Sequence, residues 1–170
     1  MSLITTLSFP LIIKPTDSSG SKGVTRVDSY EEVTEALEHG YQYSRNQRLI
    51  AEEFIDNKKG DVHGDGFVID GKLVFSYLGD HLYNLKTNPY NPIGTTWPSQ
   101  IEGPYLEEIT KDVIRAIKQC GFQNGPINIE ARINSKGQHY LMEIGPRNGG
   151  HFVPQAIGYA TGFDMVKAIL

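Results

Sequence analysis

Two glutamates on neighbouring predicted strands are placed to share a cation. Glu130 lies in the segment Asn128–Arg132, and Glu143 follows a short turn in the segment Leu141–Gly150. Because strand residues alternate faces, Glu130 lies on a polar side and isoleucines lie on the other. The polar side carries Asn128, Glu130 and Arg132, and the apolar side carries Ile127, Ile129 and Ile133.

The turn between these strands sets the distance between the two acids. If Asn134–Gly137 closes the hairpin symmetrically, Glu130 lies opposite Leu141 and Glu143 lies opposite Asn128. The glutamates are then diagonal neighbours about 7–8 Å apart at the backbone, which lets two long side chains converge on one ion. Magnesium favours a few carboxylates together with phosphate oxygens, so the hairpin predicts a metal–nucleotide site. From the acids alone, a solvated hairpin face is an equal alternative.

A loop rich in glycine and serine follows the first apolar strand. The segment Thr16–Gly23 contains one lysine, Lys22, and the strand before it ends at Lys14. Glycines let backbone N–H groups approach phosphate oxygens, and such amides with hydroxyls form an anion-binding nest. The segment is not a Walker A loop, since Gly23 leads into a strand rather than a helix. It predicts a flap over phosphates, with a plain surface turn as the alternative.

An acidic pair lies within the apolar strand Ile50–Ile55. An adenine ring needs apolar walls, main-chain donors and acceptors along a strand edge, and one carboxylate for its exocyclic amine. Glu52 is the candidate for that carboxylate. The alternative is a structural strand in which one acid points to solvent.

The elements that must position these residues follow from hydrophobic periodicity and turn residues. Asp70-Gly71 predicts a tight hairpin turn, Ser29–Glu32 predicts a capping box, and the turn-rich segment Asn84–Pro104 predicts a long functional loop, with disorder as the alternative. Their order predicts an α+β fold with largely antiparallel pairing. The expected strands are 11–13, 24–27, 48–55, 61–69 and 72–78, and the expected helices are 29–43 and 105–120.

The composition allows one sizeable core or two small lobes. The 170 residues are 39% hydrophobic and carry a formal net charge of −4, which argues against broad nucleic-acid binding. No apolar run is long enough to span a membrane, and no signal peptide pattern is present. The single cysteine, Cys120, falls in an apolar helical pattern, which predicts a buried structural thiol and a cytoplasmic protein.

Taken in chain order, these features resemble the ATP-grasp superfamily. The sequence looks most like the branch of carbamoyl phosphate synthase large subunits, biotin carboxylases and purine-pathway carboxylases. That branch has a Gly-Gly-His-like step and a Thr-Gly-Phe/Val-Asp turn, where this chain has Gly149-Gly150-His151 and Thr161-Gly162-Phe163-Asp164. The resemblance covers residues 11–170.

The resemblance implies an ATP-grasp fold, in which two α+β lobes with largely antiparallel sheets hold a nucleotide in a cleft. Residues 1–10 are then a leader, vector-derived sequence or a linker. Residues 11–55 form the small lobe, and residues 56–170 form the large lobe. The chain is expected to be a piece of a longer parent protein, truncated at both ends and lacking the family's N-terminal Rossmann-like domain.

The resemblance also implies a role for each candidate residue. Lys14 would contact the α-phosphate of ATP, and a flap would cover the other phosphates with Ser19, Gly20, Ser21 and Gly23. A hinge would contact adenine with Glu52, Glu53, Phe54 and Ile55. Asp61 would contact the ribose or the phosphates. Glu130 and Glu143 would ligate magnesium, or manganese in its place, and Arg147 and Lys22 would act on the transferred phosphoryl group. One departure is Gly145, where the family usually has an asparagine for a second metal.

The implied function is a ligase that uses ATP to activate a carboxylate or bicarbonate as an acyl phosphate for attack by an amine or similar nucleophile. Two alternatives stay open: a carbamoyl phosphate synthase large-subunit domain and a non-catalytic ATP-binding module. The expected partners are those small molecules and the missing N-terminal domain, with no nucleic acid and no membrane. The oligomeric state is open, a homo-oligomer included, and the isolated chain is expected to be inactive.

Overall fold

The computed structural model describes residues 6–84, 86 and 88–170, which form two compact units. The first unit comprises Met1–Ile55 and Tyr83–Pro92, and the second comprises Asp56–Leu82 and Ile93–Leu170. Of the predicted leader, residues 1–5 lie outside the described residues. Leu7 packs against the core of the first unit, so the described part of that segment contributes to the fold.

The first unit is a small antiparallel sheet with a helix on one face. Its strands are β1 (Leu11–Pro15), β2 (Thr25–Val27) and β3 (Leu49–Glu53), in the order β2-β1-β3. Helix α1 (Val33–Tyr43) packs Val33 and Ala36 against alternate strand residues. The buried core consists of Leu11, Ile13, Val27, Val33 and Ala36. Alternation leaves Ile12 and Lys14 on the face of β1 away from this core.

The predicted capping box at the start of α1 is wrong. The Ser29 side chain makes no capping hydrogen bond, and a 3₁₀ turn at Tyr30–Glu32 precedes the helix. Because the chain enters α1 through this tighter turn, the Glu32 carboxylate accepts the N–H of Asp28 at 2.9 Å instead of the N–H of Ser29.

The second unit is built on a five-stranded sheet in the order β6-β5-β4-β7-β8. Its β4–β5 hairpin turns at Asp70 (φ 50°) and Gly71 (φ 70°), which confirms the predicted tight turn. With the first unit's sheet, this arrangement confirms the predicted α+β fold. The elements are β4 (Gly60–Ile69), β5 (Lys72–Asn84), β6 (Asn88–Thr96), α2 (Gly103–Cys120), β7 (Gly125–Ile133), β8 (His139–Gly145) and α3 (Val153–Thr161), followed by a 3₁₀ turn at Lys167–Ile169.

The predicted loop Asn84–Pro104 contains strand β6, so the loop prediction is wrong for that stretch. β6 lies at the edge of the sheet, where a proline such as Pro92 is tolerated because one side of the strand needs no hydrogen-bonding partner. Residues 85 and 87 of the predicted loop lie outside the described residues.

Helix α2 covers one face of the second sheet. Its Ile109, Val113 and Ile117 are buried against the apolar side of β7, which confirms the predicted alternation of that strand. The predicted burial of Cys120 is wrong, because this side chain is exposed in the last helical turn. The helix ends at Gly121 (φ 67°), and Phe122 packs against the core instead.

The opposite face of the sheet is divided in two. At one end, α3 packs Val153 and Ile157 over Phe67 of β4. The remainder of that face carries polar side chains. None of the helices formed by the described residues has the length and apolar character needed to cross a membrane.

Candidate functional site

Three adjacent strands of the second unit, β4, β7 and β8, present a row of polar side chains on one face. Pairing of β4 with β7 sets Asp61 opposite Arg132, His63 opposite Glu130, and Asp65 opposite Asn128. Pairing of β7 with β8 adds Glu143. We call this surface the polar face: Asp61, His63, Asp65, Asn128, Glu130, Arg132 and Glu143.

The two predicted metal ligands lie directly opposite each other, so the predicted diagonal arrangement is wrong. Glu130 pairs with Glu143, whereas its neighbour Ala131 pairs with Leu141. The register shift leaves Met142 as an extra residue in β8, and this β-bulge brings Glu143 level with Glu130. Directly opposed residues have Cβ atoms about 4.5–5.5 Å apart, closer than diagonal neighbours. The bulge therefore tightens the predicted carboxylate pair.

The electrostatics of this pair favour a bound cation. Burial raises the pKa of Glu130, and the negative charges of Glu143 and Asp61 raise it further, against the opposing effects of His81 and Arg132. Two facing acids of which one is partly desolvated are relieved of repulsion when a cation binds between them. Magnesium is commonly held by one or two carboxylates, with phosphate oxygens and water completing its shell, and this pair fits that ligand set. In the described part of the chain, no group of three or more His, Cys, Asp or Glu side chains could hold a metal ion.

Asp61, on the same polar face as this pair, accepts hydrogen bonds from three side chains. Its carboxylate accepts from Arg132 Nε at 3.0 Å, His81 Nδ1 at 3.3 Å and Asn57 Nδ2 at 2.9 Å. Burial acts to raise its pKa, but the hydrogen bonds and the positive charge of Arg132 lower the pKa overall. Asp61 is thus an ionised anchor that faces three protein donors. Its predicted contact with ribose or phosphates stays a prediction.

His63 is a neutral member of the polar face. Its ring stacks on His81 with centroids 4.2 Å apart. Its Nε2 accepts from the Asn128 amide at 3.0 Å, and its Nδ1 lies 3.4 Å from Thr95 Oγ1. Burial, with the neighbouring His81, lowers the pKa of His63 to about 4. The imidazole therefore acts near neutral pH as a hydrogen-bonding group without charge.

Arg147, the predicted catalytic arginine, lies two residues after the end of β8. Its main-chain N–H donates to the Gly145 carbonyl at 2.8 Å, and its guanidinium donates to the Asn148 carbonyl at 3.0 Å. A Cβ atom at Gly145 would lie 3.5 Å from Cγ and Nε of Arg147, so the arginine stem lies over this glycine. The side chain is exposed, and its charge reaches His63 and Asp65, because it contributes to the pKa shifts of both.

The first unit gathers the predicted adenine and α-phosphate residues. Lys14 Nζ lies 2.5 Å from the Glu52 carboxylate on the sheet face away from the core, and the two side chains are 40% and 46% exposed. Phe54 lies under the guanidinium of Arg26 at 4.5 Å. Glu53 accepts the N–H of Ser8 at 3.0 Å, and Ile55 is half-buried. A ligand that uses both Lys14 and Glu52 would have to separate this ion pair.

The glycine–serine loop has two parts with different roles. Gly20 (φ 61°) and Ser21 (φ 57°) are successive left-handed residues, and a Cβ at Gly20 would meet nothing within 4 Å. By contrast, a Cβ at Gly23 would lie 2.9 Å from Pro15 and 3.0 Å from Tyr43, so Gly23 is a packing residue.

Further hydrogen bonds shape this loop. Ser21 Oγ donates to the Tyr90 carbonyl and Ser18 Oγ to the Lys22 carbonyl, each at 2.8 Å. Ser19 and Lys22 are exposed. The open, solvent-facing part of the predicted flap is therefore the stretch around Gly20.

Sequence reasoning missed Asp65. Its signal is the pattern Asp61-x-His63-x-Asp65 in β4, a strand buried from Asp61 to Val68. Polar residues at every second position of a buried strand indicate a polar interior face.

Comparisons with solved structures show a shared architecture. An L-amino acid ligase from Bacillus licheniformis is 27% identical, with a TM-score of 0.73, over 94% of this chain and 37% of that chain. The biotin carboxylase domain of 2-oxoglutarate carboxylase from Hydrogenobacter thermophilus, solved with MgADP, ADP and bicarbonate, has a TM-score of 0.79. It is 19% identical over 98% of this chain and 36% of that chain, which is a likeness of fold.

Curated relatives are much longer than this chain. Pyruvate carboxylase 1 from Caenorhabditis elegans is 29% identical over 171 residues, which are 94% of this chain and 13% of that protein. The profile of the ATP-grasp domain matches residues 7–155. The carbamoyl phosphate synthase large chain from Thermoanaerobacter sp. (strain X514) is 25% identical over 95% of this chain and 14% of that protein, which confirms the predicted resemblance to that branch. The chain belongs to the ATP-grasp family.

Proposed function

We propose that this chain is the Mg-ATP-binding part of a ligase that activates a carboxylate or bicarbonate as an acyl phosphate for attack by an amine or similar nucleophile. The observation that carries the proposal is the direct pairing of Glu130 with Glu143 across β7 and β8. Burial and the charge of Glu143 both raise the pKa of Glu130. Such a pair suits a divalent cation that also binds phosphate oxygens.

Each unit contributes a set of groups to this function. In the first, the open backbone at Gly20 and the charges of Lys14 and Lys22 suit phosphate oxygens, and the β3 residues from Glu52 suit adenine. In the second, Arg147 suits the transferred phosphoryl group. Phosphoryl transfer depends mainly on positioning and on neutralising charge, which these side chains supply. The bound cation would add charge neutralisation at the phosphates.

The substrates and the parent protein belong to the same proposal. The L-amino acid ligase favours a carboxylate joined to an amine, and the bicarbonate in the biotin carboxylase structure favours bicarbonate as the second candidate. This chain spans 37% and 36% of those two chains. We therefore place much of the acceptor site in the rest of the parent protein, and we expect the isolated chain to release no ADP in response to substrate.

Glu143→Gln in the full-length protein tests the proposal. The change keeps the size of the side chain and removes the charge that would neutralise the cation. We expect turnover to fall on the order of 100-fold or more, measured as substrate-dependent ADP formation with magnesium. Stability should change little, because Glu143 is exposed.

The matched control is Glu107→Gln, which removes the charge of an exposed glutamate on α2 of the same unit. It should leave turnover unchanged. Near-wild-type turnover of the Glu143 variant would contradict the proposal and return the hairpin to an ordinary surface. If the wild type binds nucleotide but forms no ADP with any carboxylate, amine or bicarbonate tested, the result would favour a non-catalytic ATP-binding module. If it forms ADP with bicarbonate alone, the result would favour the carbamoyl phosphate synthase-like alternative.

A further inference from the structure

Asp65 is a completely buried carboxylate at the centre of β4, with 0% of its surface exposed. Its Oδ1 accepts from the Asn128 side-chain amide at 2.8 Å. The main-chain N–H of Gly149, 84 residues away in the chain, donates to both carboxylate oxygens, at 3.0 Å and 2.9 Å. A single side chain therefore connects the middle of the sheet to the loop that follows β8.

The environment makes this carboxylate costly to keep. Burial raises the pKa of Asp65, and the hydrogen bonds from Asn128 and Gly149 and the charge of Arg147 act in the opposite direction. A buried acid whose hydrogen-bond donors are uncharged amides is weak support for stability. Stability alone therefore does not explain its place in the sheet.

Gly149 is seated directly on Asp65. A Cβ atom at Gly149 would lie 2.9 Å from Asp65 Oδ1, 3.0 Å from Val153 Cβ and 3.1 Å from the Asn128 amide nitrogen. At the next residue, Gly150, an added Cβ would meet nothing within 4 Å. The close approach of the main chain is thus specific to the residue that Asp65 holds.

The loop from Gly145 to Gly150 carries Arg147 and begins where the strand of Glu143 ends. Gly145 is still paired with Asn128 in the sheet. Beyond that pairing, the loop's other hydrogen bonds are local: Arg147 N–H to the Gly145 carbonyl, the Arg147 guanidinium to the Asn148 carbonyl, and Val153 N–H to the Gly150 carbonyl. Across residues 6–84, 86 and 88–170, Asp65 is the only side chain from outside the loop that forms a hydrogen bond with the loop's backbone.

We propose that Asp65 is a positioning residue that clamps Gly149 and thereby holds in place the loop that carries Arg147. The inference rests on the proposed function, because it assigns Asp65 to the same phosphoryl-transfer site. Asp65 itself touches no reacting atom. Its loss should leave ATP binding by the first unit intact and lower the rate of the chemical step.

Asp65→Asn in the full-length protein is the direct test. The amide keeps the shape of the side chain but replaces one acceptor oxygen with a donor. If the remaining oxygen keeps the Oδ1 position and accepts from Asn128, the new NH2 group faces the Gly149 N–H at the Oδ2 position, so the hold on Gly149 is weakened. We expect hydrogen exchange in the 145–150 loop to become about 10-fold faster or more, with exchange in β4, β7 and α2 unchanged. The kcat for ADP formation should fall by a factor on the order of 10–100, and KM for ATP should stay within about twofold.

Asp56→Asn is the matched control. Asp56 accepts the N–H of Ser135 at 2.8 Å, so it holds the β7–β8 turn as Asp65 holds the loop. Because Asp56 also accepts the N–H of Lys58 at 3.0 Å, its variant should speed exchange only around Ser135 and Lys58, and it should leave kcat unchanged. A second pair of variants, Gly149→Ala and its control Gly150→Ala, tests the clamp from the loop side. Only Gly149→Ala should show faster exchange in the 145–150 loop together with a lower kcat.

The outcomes separate the clamp from the proposed function. Unchanged exchange in the 145–150 loop, faster exchange throughout the second unit, or a normal kcat in Asp65→Asn would each overturn the inference. If Asp65→Asn fails to fold, a normal kcat in Gly149→Ala would overturn it. A wild-type protein that forms no ADP would refute the proposed function instead, and loop exchange would still report whether Asp65 clamps Gly149.

Discussion

At the scale of single residues, the second unit concentrates acids where their charges oppose one another. Glu130 faces Glu143 on one rung, and Asp61 lies close enough to raise the pKa of Glu130. Arg132 offsets part of this repulsion through its ion pair with Asp61 at 3.0 Å. Such an arrangement contributes little to stability, and it is the arrangement that the proposed cation would stabilise.

His63 gives this residue network a measurable pH dependence. Burial lowers the pKa of His63 to about 4 in the folded protein from its ordinary 6.5. Between these two values the unfolded chain binds a proton that the folded protein does not. The free energy of unfolding should therefore fall as the pH is lowered from 6.5 towards 4, by at most about 3 kcal/mol from this group. Above pH 6.5, His63 is unprotonated in both states, so it adds no pH dependence to the free energy of unfolding.

Urea unfolding followed by the fluorescence of Trp97, whose ring lies 6.1 Å from that of His63, measures this effect. His63→Gln keeps an acceptor for Asn128 and cannot be protonated, so its stability should fall less than that of the wild type across this window. The raised pKa values of Asp65 and Glu130 make the free energy of unfolding rise as the pH is lowered. This effect is present in both proteins, so it cancels when their pH profiles are compared. Parallel pH profiles for the two proteins would contradict the prediction.

At the scale of elements, strand alternation was predictable and strand register was not. The period of two in β7 was sufficient to assign Glu130 to the polar face and the isoleucines to the core. A hairpin closed symmetrically would have set Glu130 opposite Leu141, whereas the turn and the bulge at Met142 set it opposite Glu143. No local signal in the sequence marks that bulge, which is visible only in the pairing of β8 with β7.

Two other elements show where local reasoning stops. Segment Asn84–Pro104 is rich in turn residues, yet pairing along an edge turned part of it into β6. Asp65 is visible as a polar residue in a buried strand, but its partner Gly149 lies 84 residues away. Both cases depend on tertiary contacts that periodicity does not report.

The flap offers a prediction at this scale. Gly23→Ala should destabilise the first unit by about 2–4 kcal/mol, because the added methyl meets Pro15 and Tyr43 at a left-handed residue with φ 75°. Gly20→Ala is the control. It has a similar φ of 61° but open space around the methyl group, so it should cost only about 1 kcal/mol.

Thermal unfolding of the two variants gives the comparison. Gly20→Ala should instead weaken nucleotide binding, since Gly20 lies in the open part of the flap. Equal destabilisation by both variants would show that Gly23 is not a packing residue.

At the scale of the whole molecule, the candidate groups are divided between two compact units. The first holds Lys14, the flap and the β3 hinge, and the second holds the opposed glutamates and Arg147. The ATP-grasp family explains why one chain carries both sets, and the residues supply the reason each set suits a nucleotide or a metal. The resemblance implied that Glu130 and Glu143 act together, but their direct pairing across β7 and β8 and the contact of Asp65 with Gly149 follow from the folded chain.

The most direct test of this account is calorimetry of the full-length protein with a non-hydrolysable ATP analogue, with and without magnesium. We expect binding that strengthens by about 10-fold or more when magnesium is present, because Glu130 and Glu143 would hold the metal and the metal would neutralise phosphate charge. The double variant Glu130→Gln/Glu143→Gln should still bind the analogue and should lose the dependence on magnesium. Absence of metal-dependent binding by the wild type at millimolar ligand, or a magnesium dependence that persists in the double variant, would contradict the account.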